Sequence, residues 1–152
     1  NPTLWRFVGR VVQLQKRVVV TDRTETQKSL RLSIVFATVS GNAKRTAQQL
    51  AAAFHPFSAS TRVVDAADLD VAQKLETLTQ STDVLVVVTS TFGSGAPPPS
   101  AAPLFKLLRG HDGALSSGQL FAVLGLGSLA YPRFCAAADA AHALLLAARG
   151  TA

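Results

Sequence analysis

The sequence has little of what a disulfide-bonded, disordered or membrane-spanning protein needs. Its 152 residues include a single cysteine, which excludes a disulfide framework and a metal site made only of cysteines. Charged residues make up 16% and apolar residues 48%, whereas disordered chains combine low hydrophobicity with high charge. No stretch of about 18 apolar residues and no signal peptide pattern occurs. We therefore expect one folded domain without a membrane span, in a reducing, cytoplasmic compartment.

Methionine is absent, and the chain begins with Asn1, so we expect a piece of a longer protein.

Acidic residues are scarce: there are 9, against 15 Lys and Arg. Seven of the basic residues but only two of the acidic ones lie in residues 1–31, which leaves the rest of the chain nearly neutral. A uniformly basic face for nucleic acid is therefore excluded. The three histidines lack the spacing of metal ligands, so the sequence predicts no metal site.

Beyond residue 31, short apolar runs alternate with helical patterns. The apolar runs predict strands at 32–37, 61–64, 84–88 and 119–124, and the helical patterns predict helices at 43–54, 69–79, 101–108 and 132–148. This alternation predicts an α/β fold with a parallel sheet covered by helices on both faces.

Three loops follow the carboxyl ends of predicted strands, at 38–43, 89–99 and 125–135, where parallel sheets bind ligands. The first loop offers the hydroxyls of Thr38 and Ser40 with a helix start, which is the donor set that a phosphate needs. The alternative is an ordinary N-capped helix start.

The other two loops carry aromatic side chains. In the second loop, Phe92 follows Ser90 and Thr91 and stands between them and two glycines; the alternative is a surface loop with Phe92 in the core. The third loop contains Tyr131, and the alternative for its neighbours Phe134 and Cys135 is core packing. A phosphate cradle with two aromatic residues predicts a mononucleotide that carries a flat ring, and flavin mononucleotide (FMN) fits this best.

Three stretches carry a family resemblance: IVFATVSGNAKRTA, VVVTSTFGSGAPPPS and AVLGLGSLAYPRFCAAAD. They resemble the flavin-contacting stretches of the FMN-binding, flavodoxin-like domain of nitric oxide synthases and, less closely, those of the microsomal diflavin reductases. The resemblance implies a doubly wound parallel sheet of order 2-1-3-4 in a domain at 32–152, behind a basic arm at 1–31. It also implies that the chain ends before the fifth strand of that fold, which would leave the fourth strand as an open edge.

The resemblance also implies a binding site and an electron path. The implied FMN contacts are Thr38, Val39, Ser40, Gly41, Asn42, Ala43, Ser90, Thr91, Phe92, Gly93, Ser128, Tyr131, Phe134 and Cys135. No residue acts as acid, base or nucleophile. The parent chain would be an NADPH-dependent oxidoreductase, with an FAD/NADPH module that supplies electrons and a haem domain that accepts them.

Nitric oxide synthases carry a calmodulin-binding helix before this domain, and the basic arm fits such a helix. Its apolar positions would be Leu4, Trp5, Val8, Val12 and Val18, with basic residues between them. The alternative is a linker or a strand.

Two further readings of the function stay open. One is the FMN domain of another diflavin reductase. The other is a degenerate flavodoxin-like interaction module without flavin. The second is favoured by the first loop, where Val39 and Asn42 to Lys44 depart from the family's T-E-T-G-K-S-E, and by Ala96, where the family has an acidic residue.

Overall fold

The computed structural model of the chain describes residues 5–7, 30–70, 75–110, 115 and 119–148. Its strands are β1 (Trp5–Phe7), β2 (Leu30–Ala37), β3 (Ser58–Asp65), β4 (Val84–Ser90) and β5 (Leu120–Leu126). Its helices are α1 (Asn42–Phe54), α2 (Leu75–Thr79), α3 (Ala102–Arg109) and α4 (Ala136–Ala148). None of these helices has the length and hydropathy to cross a bilayer.

Four strands form a parallel sheet in the spatial order β3-β2-β4-β5. Ile34 of β2 lies opposite Val63 on one side and Val86 on the other, and Val86 lies opposite Ala122 of β5. The predicted α/β architecture and the 2-1-3-4 order of its parallel strands are confirmed.

Apolar layers cover both faces of the sheet, because successive strand residues point to opposite sides. Val35 of β2 belongs to the core under α3 and α4, and its neighbour Ile34 belongs to the core under α1. Both side chains are fully buried. Strands buried on two faces need continuous apolar runs rather than alternating ones, which explains why LSIVFA and VLVVV predict them well.

An ion pair joins the amino ends of β2 and β4, at the edge opposite the three loops. The Arg31 guanidinium lies 2.9 Å from Asp83 Oδ1, and the Arg31 backbone N–H donates to Oδ2 of the same carboxylate at 2.9 Å. The Asp83 N–H in turn donates to the Arg31 carbonyl at 2.8 Å. The hydrogen bond and the charge of Asp83 raise the pKa of Arg31 above its ordinary value. These contacts help to set the register of the two central strands.

The last helix begins later than its sequence pattern predicts. Residues 132–135 form turns, and α4 starts at Ala136 instead of residue 132. Cys135 has a φ of 55°, in the left-handed region that a helix interior does not allow. The prediction of a helix over 132–135 is therefore wrong, because the chain must turn there before α4 packs on the sheet.

The amino-terminal arm also differs from its predicted form. Trp5–Phe7 pair as a strand, antiparallel to residues 124–126 of β5. The amphipathic helix predicted through Trp5 is therefore wrong at these three residues, and the edge of β5 that was expected to be open is paired over its carboxyl end. The remaining arm positions, Leu4, Val8, Val12 and Val18, lie outside the described residues.

Gly125 of β5 lets α4 approach the sheet closely, and its replacement tests this packing. A Cβ at residue 125 would lie 2.6 Å from the Ala138 Cβ and 3.1 Å from the Cys135 Cβ, closer than carbon atoms pack. We expect Gly125→Ala to lower the free energy of unfolding by about 1–3 kcal/mol, the usual cost of overpacking a core. Urea denaturation of the variant measures this loss.

Gly110→Ala is the matched control for this variant. Gly110 has a right-handed backbone conformation, and the nearest atom to its added Cβ would be a carbonyl oxygen at 3.5 Å. The free energy of unfolding should change by less than about 0.5 kcal/mol, as at most surface positions. Equal losses for the two variants would contradict the packing role of Gly125.

Candidate functional site

The three loops meet in one cleft at the carboxyl ends of the parallel strands. The cleft consists of two adjoining cavities, a larger one of about 460 Å³ and a smaller one of about 290 Å³. Both are lined by Thr91, Gly127, Ser128 and Tyr131, so the second and third loops form the boundary between them. The first loop and α1 close the far side of the larger cavity. A cleft of this size suits a small organic ligand.

The first loop is held by hydrogen bonds that leave the start of α1 available to a ligand. The Ser100 hydroxyl accepts from the Thr38 N–H at 3.1 Å and donates to the Thr38 carbonyl at 3.2 Å. Gly41, with a φ of 85°, donates its N–H to Thr38 Oγ1 at 2.9 Å. Gly41 is the N-cap residue of α1, and no side chain caps the helix. The first turn of α1 therefore presents backbone N–H groups without helical partners to an anion.

Thr91 of the second loop forms hydrogen bonds with both β5 and α4. Its N–H donates to the Leu126 carbonyl at 2.9 Å, and its hydroxyl accepts from the Ala137 N–H at 3.3 Å. The following turn is closed by Phe92, whose N–H donates to the Ala96 carbonyl at 2.8 Å. Phe92 is 51% exposed, so the alternative that places its ring in the core is wrong. A phenyl ring at this exposed position is available to pack on a ligand.

The third loop brings an exposed tyrosine and a buried thiol to the cleft. Tyr131 is 60% exposed and lines both cavities. Cys135 is fully buried, which confirms the core-packing alternative for this residue, while Phe134 is half-buried. A Cβ at Gly127 would lie 3.0 Å from the Cys135 backbone nitrogen, so a glycine at 127 is needed where the loop folds over Cys135.

Ser90 supplies a polar atom that lacks a partner. Its hydroxyl is buried at the carboxyl end of β4, lines the larger cavity, and makes no hydrogen bond with the residues that the structure describes. Buried hydroxyls are nearly always paired, with protein, water or ligand. Ser90 is therefore placed to donate to, or accept from, a polar edge of a ligand in this cavity.

The structure brings most of the predicted site residues together. Those that line one or both cavities are Ser40, Asn42, Ser90, Thr91, Phe92, Gly93, Ser128, Tyr131, Phe134 and Cys135. Thr38, Val39, Gly41 and Ala43 line neither cavity. Of these four, Thr38 and Gly41 shape the first loop through their hydrogen bond, and Val39 points outward, 54% exposed.

Three lining residues of the third predicted loop were not among the implied contacts, namely Leu126, Gly127 and Arg133, and three lie outside the predicted loops. These last are Arg45, Thr46 and Gln49. Arg45, Thr46 and Gln49 follow Asn42 by three, four and seven positions along α1. Since residues at these spacings share one face of a helix, the helical period could have identified them. No local pattern identifies Arg133, whose stem reaches the smaller cavity by packing over Gly95.

The charge of the cleft is positive. Arg45 lines the larger cavity and Arg133 the smaller one, and no Asp or Glu lines either. In the described parts of the chain, no three His, Cys, Asp or Glu side chains come together as metal ligands. The cleft therefore combines hydroxyls, backbone amides, aromatic rings and two cations, a set that suits an anionic aromatic ligand.

Ser100 tests how far the first loop depends on its anchor. Ser100→Ala removes the partner of both the N–H and the carbonyl of Thr38. We expect the free energy of unfolding to fall by about 1–2 kcal/mol, because this is the combined net contribution of two ordinary hydrogen bonds. Hydrogen exchange at the Thr38 amide should become faster. Ser94→Ala, at an exposed serine of the second loop, is the control; unchanged exchange at Thr38 in both variants would contradict the anchoring role.

The sequence and the fold both match one family. Residues 34–152 match the model of the family described as Flavodoxin. The sulfite reductase [NADPH] flavoprotein alpha-component of Photorhabdus laumondii is 30% identical over 133 residues, 88% of this chain and 20% of that protein. The corresponding protein of Thiocapsa roseopersicina is 35% identical over 112 residues, 74% of this chain and 20% of that protein.

Solved structures show the same fold. Oxidised flavodoxin 1 from Bacillus cereus superposes with a TM-score of 0.65 at 27% identity, over 80% of this chain and 78% of that one. The Streptococcus pneumonia TIGR4 flavodoxin superposes with a TM-score of 0.67 at 23% identity, over 79% of this chain and 77% of that one. The chain spans about a fifth of the length of the curated relatives it matches.

Proposed function

The chain belongs to the flavodoxin family, and we propose that it is the FMN-binding electron-transfer domain of an NADPH-dependent diflavin reductase. The observation that carries this proposal is the meeting of three loops in one cleft that holds polar groups without partners. The uncapped start of α1 and the Ser90 hydroxyl are those groups. A ligand with a phosphate at one end and a polar-edged ring at the other would satisfy both.

The residues of the cleft fit FMN in chemistry as well as in position. The first turn of α1, with Ser40 and Asn42, would hold the phosphate through N–H and side-chain donors. Ser90 and Thr91, at the end of β4, would face the polar edge of the ring. Phe92 and Tyr131 line the smaller cavity and would pack on the faces of the ring.

Bound FMN would supply the electron chemistry, since a flavin takes up and releases electrons reversibly. The chain's own residues bind and orient it. The two exposed aromatic rings exclude water from the ring faces and surround them with an apolar, electron-rich setting. This setting disfavours added negative charge on the ring, whereas Arg133 in the same cavity favours it. The proposed function needs no acid, base or nucleophile among the lining residues.

The relatives described above are NADPH-dependent sulfite reductase flavoproteins, which supports a diflavin reductase as the parent protein. In such a chain, an FAD/NADPH module would pass electrons to this domain. The narrower assignment to nitric oxide synthases, with a haem acceptor and a calmodulin-binding arm, stays a prediction from the sequence resemblance. The strand formed by Trp5–Phe7 is an observation against a helix at that part of the arm.

Loading with FMN tests the proposal directly. The purified protein, titrated with FMN, should quench the fluorescence of free flavin at one equivalent and show a flavin visible spectrum after gel filtration. Reduction with dithionite and reoxidation should be reversible in the bound form. A colourless protein that takes up no FMN would overturn the proposal and would favour the interaction module without flavin.

Tyr131→Ala tests the aromatic contact to the ring. We expect the Kd for FMN to rise about tenfold, because an aromatic stacking pair contributes about 0.5–1.5 kcal/mol beyond the area that it buries. The flavin potentials should also shift. Leu129→Ala is the matched control, since Leu129 is 59% exposed in the same loop and lines neither cavity. Equal effects of the two substitutions, or none for Tyr131→Ala, would contradict the stacking role.

A further inference from the structure

We propose that Arg45 makes the cleft selective for a phosphate monoester, so that the protein distinguishes FMN from riboflavin, the same ring system without phosphate. The inference rests on the proposed function and deepens it. Backbone N–H groups provide part of the preference for FMN over riboflavin, and we assign a further part to the side chain of Arg45. Arg45 lies in the first two turns of α1, beside the phosphate end of the larger cavity.

The side chain of Arg45 is directed toward the start of α1. Its Nη2 donates to Asn42 Oδ1 at 3.1 Å, and Asn42 is the first residue of the helix. Helical side chains lean toward the amino end of the helix, which favours this direction. The Arg45 backbone N–H is already used, since it donates to the Gly41 carbonyl at 3.0 Å. The guanidinium therefore lies beside the side chain of the first residue of α1, the helix whose first-turn N–H groups lack helical partners.

Arg45 lines the larger cavity, whereas the neighbouring cation does not. Ser40, Asn42 and Arg45 all line this cavity, and Lys44 lines neither cavity. Lys44 directly precedes Arg45, and one step along a helix turns a side chain by about 100°, so the two cations lie on different faces of α1. Both side chains are exposed, so replacing either one leaves the core intact.

The charge of Arg45 is not neutralised inside the cleft. Its partner in the described structure is the neutral Asn42 amide, and no carboxylate lines the larger cavity. A guanidinium presents paired donors that match two oxygens of a phosphate, and such charge-assisted bonds are about twice as strong as neutral ones. A phosphate monoester, with two negative charges near neutral pH, gains most from this arrangement, and riboflavin gains nothing.

The experiment compares the affinities of FMN and riboflavin for three proteins: the unaltered chain, Arg45→Gln and Lys44→Gln. Glutamine has a similar helix propensity, and it removes the charge and shortens the side chain in both variants, so Lys44→Gln controls for the shorter side chain. We expect Arg45→Gln to raise the Kd for FMN about tenfold, equivalent to about 1.4 kcal/mol, and to change the Kd for riboflavin less than twofold. Lys44→Gln should change the FMN/riboflavin ratio by less than about threefold.

Salt provides a second readout. The preference of the unaltered chain for FMN over riboflavin should shrink as ionic strength rises, because an exposed cation is screened. That salt dependence should be weaker in Arg45→Gln than in Lys44→Gln. Arg45→Lys, which keeps the charge without the paired donors, should restore part of the preference. Circular dichroism and thermal unfolding verify that each variant is folded.

The outcomes separate this inference from the proposed function. Equal losses of FMN affinity for Arg45→Gln and Lys44→Gln would show a general effect of charge and would overturn the role of Arg45. A parallel loss of riboflavin affinity in Arg45→Gln would show a packing role and would overturn it too. If the unaltered chain binds FMN and Arg45→Gln keeps its FMN/riboflavin ratio, this inference alone fails. If the unaltered chain binds neither flavin, the proposed function fails as well.

Discussion

The common direction of the four long strands is the constraint on which the cleft depends. Because β2, β4 and β5 are parallel and adjacent, their carboxyl ends lie at the same edge of the sheet. The loops that leave these ends are far apart in the sequence but must start side by side. The ion pair of Arg31 and Asp83 helps to hold the opposite edge in register. Any chain with this strand order brings three loops together, so the chemistry of the site depends on which residues the loops carry.

The loops are held in place by close contacts between elements. Thr91 bonds to the end of β5 and to the start of α4, and Ser100 bonds to both backbone groups of Thr38. Gly125 and Gly127 let the buried Cys135 lie against the backbone of β5 and the third loop. A binding site whose supports are packed and hydrogen-bonded needs little reordering when a ligand enters. The electron transfer that we propose for this domain would benefit from a site that reorders little.

The polar character of the cleft favours binding over acid–base chemistry. Hydroxyls, backbone amides and two arginines line it, with no carboxylate or histidine among the lining residues. The cations stand at different places, Arg45 beside the start of α1 and Arg133 beside the exposed aromatic residues. In the proposed function, Arg45 would face the permanent charge of a phosphate. Arg133 would favour the charge that a flavin ring gains when it is reduced. Arg45 and Arg133 are the two charged residues that line the cleft.

The local patterns of the sequence determined the parallel sheet and the three loops, because runs buried on both faces and glycine-rich turns are local features. The strand order came from the family resemblance of the three loop stretches. The sequence also predicted Phe92 and Tyr131 as cleft residues, since each lies in a loop that follows a predicted strand. The helical period places Arg45 rather than Lys44 on the face of Asn42, because one step along a helix turns a side chain by about 100°. Only the tertiary structure decided that this face of α1 lines the cleft. It also decided the late start of α4 and the pairing of Trp5–Phe7 with β5. The strand pairing depends on a contact between segments more than 100 residues apart, and the late start of α4 depends on the backbone turn at Cys135. Neither feature leaves a periodic pattern in the sequence.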